Sequence, residues 1–220
     1  MRYLCIDFET NGFYVRGAEA KYKSLPFCSY PVQVGVHAVE DGVVSPLYRA
    51  VICGATSMNK RSQENIRLTL EDIANGIPFQ QMITELAALM KPGDVMVAHK
   101  VDFDVGTCIG TTARRLDYES PELQRILTAP RFCTMLCAYC KSTFGKKPSM
   151  QQLCDHFEVE LVNAHDAAGD SLALAQCVAE ALRRGVMLCN PNSHSQLPNL
   201  RALHTEAGAS RTVRPRYAFY

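Results

Sequence analysis

The chain has 220 residues, 47% hydrophobic and 20% charged, with a formal net charge of +1. That balance is an ordinary globular one, long enough for a sizeable core; it excludes a disordered chain and a global basic field, so any polyanion must be met by local patches. No apolar run approaches the ~20 residues of a membrane span, and the N-terminus enters a strand without a basic-then-apolar leader, which predicts an intracellular protein with no membrane partner.

The first predicted element, Tyr3-Leu4-Cys5-Ile6-Asp7-Phe8-Glu9, reads as a buried strand that carries two carboxylates near its end. Side chains alternate along a strand, so Asp7 and Glu9 leave one face while Leu4, Ile6 and Phe8 pack the other. Burying an unpaired carboxylate is costly, and two in line call for a cation beside them. A water-facing edge strand would carry the same pattern. Thr10-Asn11-Gly12 then turns the chain at the strand's carboxyl end, where open α/β sheets place ligands.

Residues 13–30 form a long irregular stretch in which Arg16, Lys21 and Lys23 interleave with Tyr14 and Tyr22. Such residues grip single strands by phosphate contact and stacking, and they equally suit a solvated loop. Pro31 opens the alternating strand Val32 to Val39, and Glu40-Asp41-Gly42 makes a hairpin into Val43-Val44 and Leu47 to Ile52. A short helix is expected around Glu64 to Ala74. A clearer one begins near Pro78, with Phe79, Met82, Ile83, Leu86 and Met90 at helical spacing, and Lys91-Pro92-Gly93 stops it.

The strand Asp94 to Ala98 leads into His99-Lys100-Val101-Asp102-Phe103-Asp104 and a helix carrying Ile109, Ala113 and Leu116. Arg131-Phe132-Cys133 enters a helix near Met135 in the same way, which implies parallel strands joined by crossovers. Ser149-Met150-Gln151-Gln152 is a capping box ahead of Leu153 and Phe157. Asn163 to Asp170 then leads into a long helix from Ser171 to Arg184 with Leu174, Cys177, Val178 and Leu182 facing inward, ended by Gly185. Residues 1–185 are expected to form one domain, and 186–220, rich in Pro, Asn and Ser with Arg201, Arg211, Arg214 and Arg216, a C-terminal extension.

The ten cysteines show no disulfide-scaffold spacing and read as reduced core thiols. Cys133, Cys137 and Cys140 with Cys154 and His156 make an alternative zinc-ligand set, in no standard spacing.

Asp7-x-Glu9, Asp104, and His165 with Asp170 place four carboxylates and an imidazole at strand ends and a helix start. On these residues the chain resembles the DEDDh-type 3′–5′ exonucleases of the RNase H-like superfamily, the group containing proofreading exonucleases, RNase T and oligoribonuclease. Asp7-Phe8-Glu9-Thr10-Asn11-Gly12 is similar to the first motif, Ala98-His99-Lys100-Val101-Asp102-Phe103-Asp104 to the second, and His165-Asp166-Ala167-Ala168-Gly169-Asp170 to the third in its histidine form. The tyrosine form would place Tyr where Asp166 stands. The likeness covers roughly residues 1 to 185. One departure is Lys100, where the family's second motif carries Asn; a lysine there suits a phosphate contact or a solvated surface equally.

The resemblance implies an α/β fold of RNase H-like type, a mixed five-stranded sheet flanked by helices. It implies a metal-dependent 3′–5′ exonuclease that releases nucleoside 5′-monophosphates from single-stranded 3′ ends of DNA or RNA, with a polymerase or a second copy of the chain as candidate partners. Two Mg²⁺ or Mn²⁺ ions about 3.5–4 Å apart stabilise attacking and leaving oxygens in such a reaction, and hard cations take oxygen ligands. By the resemblance Asp7 is the shared ligand, Glu9, Asp104 and Asp170 complete the set, His165 is the general base, and Thr10, Asn11, His99, Lys100 and Phe103 contact substrate. His165 precedes Asp170 by five residues, about 500° of helical rotation, so it must sit in the loop before the helix. An imidazole there suits proton removal near neutral pH. The departure at Lys100 leaves open a binding module on the same fold with weak or lost catalysis, and the cysteine cluster leaves open a zinc-organised interaction protein.

Overall fold

A computed structural model describes residues 1–12 and 29–186. Nearly all of the basic and aromatic 13–30 stretch and of the 186–220 extension therefore lies outside the described residues.

Five strands run in the order β3-β2-β1-β4-β5, where β1 is Arg2–Thr10, β2 Pro31–Glu40, β3 Val43–Val51, β4 Val95–Ala98 and β5 Arg131–Cys133. β1 to β3 are an antiparallel meander, whereas β4 and β5 add parallel to β1. The sheet is thus the expected mixed five-stranded one. β1 is its central strand, so the water-facing edge reading of Asp7 and Glu9 falls away. Leu4, Ile6 and Phe8 enter one core layer and Tyr3 and Cys5 the other, which puts Asp7 and Glu9 on the second face, as alternation requires.

The first layer packs α3 (Phe79–Leu89), α5 (Pro121–Thr128) and the helix after β4 against the sheet. The second packs α7 (Met150–Phe157) and α8 (Ala167–Arg183). The β2–β3 hairpin closes on Asp41 and Gly42, with φ of 52° and 79°; a two-residue primed turn needs positive φ at both places, which Asp-Gly tolerates.

Several elements depart from expectation. The single helix expected over 64–74 is two, α1 (Lys60–Ile66) and α2 (Leu70–Ala74), each with its own N-cap, Asn59 and Thr69. β3 runs unbroken because the register absorbs Leu47 as a bulge between Tyr48, opposite Val36, and Pro46, opposite His37. The helix after β4 opens as a ten-residue π-helix, Asp102–Thr111, before the α-helical turn α4 (Thr112–Arg115). Thr111 and Thr112 Oγ1 donate to the carbonyls of Gly106 and Thr107, five residues back, which supports that wider winding. α8 begins four residues earlier than Ser171, because Asp166 caps it by accepting from Gly169 N.

The cysteines divide between layers, Cys133 in the first and Cys137, Cys140 and Cys154 in the second. These four are free thiols. Cys137 Sγ accepts from Cys140 N at the start of α6 (Ala138–Phe144), and His156 Nε2 pairs with the Tyr139 hydroxyl at 2.8 Å. These contacts use members of the alternative zinc-ligand set for packing and capping. No described helix is long and apolar enough to cross a membrane.

Candidate active site

Asp7 and Glu9 stand at the carboxyl end of the central strand. The β1–β4 ladder stops at Cys5, opposite Val97, so β1 beyond it has an open edge. Asp104, in the first turn of the π-helix, fills that edge: its Oδ1 accepts from Phe8 N at 3.2 Å. The hydrogen bond fixes a carboxylate from the second motif beside the two of the first. Asp104 itself is only 3% exposed.

The third motif arrives from the other side. His165 lies in the turn before α8 with φ +68°, and its main-chain N–H donates to Asp170 Oδ2 at 3.0 Å. Its ring Nδ1 is 4.0 Å from Glu9 Oε1. Glu9, His165 and Asp170 each offer a ligand atom within 4.8 Å of the others, the one such grouping found among the described residues. Asp7 and Asp104 stand outside that trio but within electrostatic reach of it.

The electrostatics are those of crowded acids. Burial, then the neighbouring charges of Asp104, Asp170, Glu9 and Asp166, holds the Asp7 carboxyl well above the usual range. Burial first, with Asp170 and Asp166 behind it, raises Glu9 to about 7. Burial raises Asp104 to about 8, although its own hydrogen bonds and Lys100 pull the other way. Asp170 is raised by burial against the opposing hydrogen bond from His165 N. Converging carboxylates that resist ionisation fit divalent cations, whose charge removes the repulsion and whose hardness matches oxygen ligands.

A stability profile follows, with its sign. Carboxylates unfolded near their ordinary values and raised when folded bind more protons in the folded state, so their stabilisation is complete at low pH and is lost as pH rises through about 7 and about 8. EDTA-treated protein should therefore melt at a lower temperature at pH 8 than at pH 5. Mn²⁺ or Mg²⁺ should raise the midpoint more at pH 8, where the ligands are ionised. A midpoint that climbs from pH 5 to 8 without metal would count against the acid cluster.

The expected substrate-contacting residues separate into two groups. Lys100 is exposed, with Nζ 5.5 Å from the Phe103 ring centroid, and its charge acts on the Asp104 carboxyl, while Phe103 is half-buried against the first core layer. Thr10, Asn11 and His99 are instead tied to the protein. Thr10 Oγ1 donates to Gly12 O. Asn11 Oδ1 accepts from Tyr30 N while Nδ2 donates to Ser57 O. His99 Nδ1 meets Thr134 Oγ1 and Nε2 meets Pro148 O, both at 2.9 Å. With both ring nitrogens occupied, His99 fastens the 134 and 148 segments to the end of β4, a role its motif position did not reveal.

Sequence reasoning also missed Gln33, Gly35 and the capping role of Asp166. Gln33 Nε2 donates to Asp166 Oδ1 at 2.7 Å and its Oε1 accepts from Ala167 N at 3.0 Å. The available signal was the polar set Gln33, Gly35 and His37 on alternate positions of β2; what it could not show was that a helix, not water, covers that face.

A family model described as exonuclease (RNase T) matches residues 4–178. No curated protein matches the sequence. Among solved structures, a 3′-exonuclease described for 3′-end specific recognition of a histone mRNA stem-loop is similar, with TM-score 0.64, 12% identity, and 85% of this chain and 84% of that one covered. E. coli Exonuclease I in complex with a dT13 oligonucleotide gives TM-score 0.63 and 14% identity over 83% of this chain and 41% of that one. S. pombe Pop2p in its Mg²⁺ and Mn²⁺ bound form gives 0.59 and 13% over 83% of each. At such identities the likeness is one of fold.

Proposed function

The chain belongs to the exonuclease family whose model spans residues 4–178, and from that membership we propose that it is a 3′–5′ exonuclease releasing nucleoside 5′-monophosphates from single-stranded nucleic acid. The observation that carries the proposal is the convergence of Asp7, Glu9, Asp104 and Asp170, from three separate stretches of chain, beside an exposed His165. The catalytic unit is assigned to residues 1–185, with 186–220 as an extension outside it.

Asp7, Glu9, Asp104 and Asp170 would hold two Mg²⁺ or Mn²⁺ ions, which supply charge stabilisation to the attacking and leaving oxygens of the phosphodiester. The protein's own part is positional and acid–base. His165 takes the proton of the attacking water. Glu9, 4.0 Å from Nδ1, favours the imidazolium that results and leaves Nε2 as the accepting nitrogen. The π-helix and Phe8 N hold Asp104, and the α8 cap holds Asp170. Lys100 borders the carboxylates from the exposed side, where a phosphate of the incoming strand would meet it.

The test is direct. Purified protein is incubated with 5′-labelled single-stranded DNA or RNA in Mg²⁺, Mn²⁺ or EDTA. A ladder shortening from the 3′ end in metal and absent in EDTA is expected, and the substrate giving it identifies the nucleic acid. Intact strands under every condition, with the strand still bound, would instead favour a binding module.

A further inference from the structure

We infer that Gln33, with Gly35 beside it, is a positioning residue that sets where Asp170 and His165 stand over Asp7. This rests on the exonuclease reading of the site and adds to it residues that contact neither metal nor substrate.

On β2, Val32, Val34 and Val36 enter the first core layer, so Gln33, Gly35 and His37 face α8. Gln33 is 1% exposed, and a buried amide must satisfy both its ends. It does so on one turn. Nε2 can only donate, and it meets the Asp166 carboxylate; Oε1 can only accept, and it meets Ala167 N. The partners therefore fix the amide's orientation. Asp166 in turn caps α8 through Gly169 N and accepts from Asp170 N at its carbonyl, 2.8 Å away. Arg49 approaches the same carboxylate oxygen from the exposed side at 3.4 Å.

Gly35 sets the height of that turn. A Cβ there would lie 2.2 Å from Ala167 O and 2.5 Å from Ala168 N, both main-chain atoms. Two residues on, His37 Nδ1 is 2.9 Å from Ser171 Oγ. Three successive residues of one strand face thus hold the cap, the first helical residue and the fifth. Since Gly35 is paired with Asp7, the helix start is referenced to the strand that carries the first two carboxylates. Asp170 lies in that first turn and His165 hangs from Asp170 through its main-chain N–H, so a shift of the cap moves both.

The test uses Gln33→Leu, Gln33→Glu, Asp166→Asn and the exchange Q33E with D166N, on the full chain. In the exchange, the carboxylate introduced at position 33 accepts from Ala167 N and from the new amide at 166, whose oxygen keeps Gly169 N; the buried hydrogen bonds are restored with one direction reversed, and only the exposed contact from Arg49 is given up. Partners that orient metal ligands typically contribute about 10–100-fold in metal affinity or activity. Gln33→Leu and Gln33→Glu should each weaken Mn²⁺ binding by about that factor and lower kcat on a labelled oligonucleotide similarly, with KM little changed. The Ala167 amide should lose its protection from hydrogen exchange. Asp166→Asn alone leaves one of two donors, Gln33 Nε2 or Gly169 N, without an acceptor and should be impaired as well, whereas the exchange should exceed either single variant and recover Mn²⁺ affinity and kcat to within a fewfold of wild type.

Gln33→Leu and Gln33→Glu that only lower the melting temperature, with Mn²⁺ affinity and kcat intact, would overturn the inference. So would an exchange no better than Q33E. Should Gln33→Leu not fold, the comparison of Q33E with the exchange decides. If wild type lacks nuclease activity, the exonuclease reading fails, while Mn²⁺ binding and Ala167 exchange still decide the role of Gln33.

Discussion

Asp7→Ala is expected to lose hydrolysis by on the order of 10³-fold or more while remaining folded, because metal assistance is worth several kcal/mol and each 1.4 kcal/mol is about tenfold. Asp7 sits on the central strand with Asp104, Asp170, Glu9 and Asp166 all raising its carboxyl above the usual range after burial has done so. Its removal therefore relieves repulsion as well as deleting a ligand. Without metal, Asp7→Ala should melt at or above the wild-type temperature at pH 8; with Mn²⁺ the wild type should overtake it. Near wild-type nuclease activity in the variant would remove Asp7 from the chemistry and the site assignment with it.

The second large effect is at His165. A general base contributes roughly 10²–10⁴-fold, and the structure shows how to isolate that contribution. His165 holds Asp170 through its main-chain N–H, which survives substitution. Its φ of +68° is a conformation that glycine adopts freely and alanine does not. His165→Gly should therefore keep Asp170 in place, bind Mn²⁺ and oligonucleotide as wild type does, and turn over about 10²–10⁴ times more slowly. The acidic limb of the pH–rate profile should shift, and added imidazole should restore part of the rate. An unchanged rate and profile would assign His165 to shaping the turn alone.

What can be read from the residues depends on whether the cause is local. The alternation of β1, the Asp-Gly hairpin, the capping box at Ser149 and the spacing of α3 are consequences of neighbours a few positions apart, and each stands where the pattern puts it. The Ser120 cap and Pro121 at the start of α5 are equally local signals, though the apolar spacing alone does not single them out. Asp166 as the cap of α8 is legible in the same way, four residues ahead of the helix that the apolar positions predict from Ser171.

The sequence by itself supplied the inventory of the candidate site: which carboxylates, in which order, each near the end of a strand or the start of a helix, together with a histidine that helical geometry keeps out of the helix. Only the tertiary structure decided how that inventory is assembled. Asp104 reaches the site because the open edge of β1 needs an acceptor at Phe8 N. His99, named for substrate by its motif, is taken by Thr134 and Pro148. The polar face of β2 belongs to α8 because Gln33 can satisfy both ends of its amide there and Gly35 alone leaves the room. Each of these hydrogen bonds joins residues 35 to 134 positions apart, and a buried polar group accepts whichever partner the packed fold brings to it, a choice that no local pattern encodes.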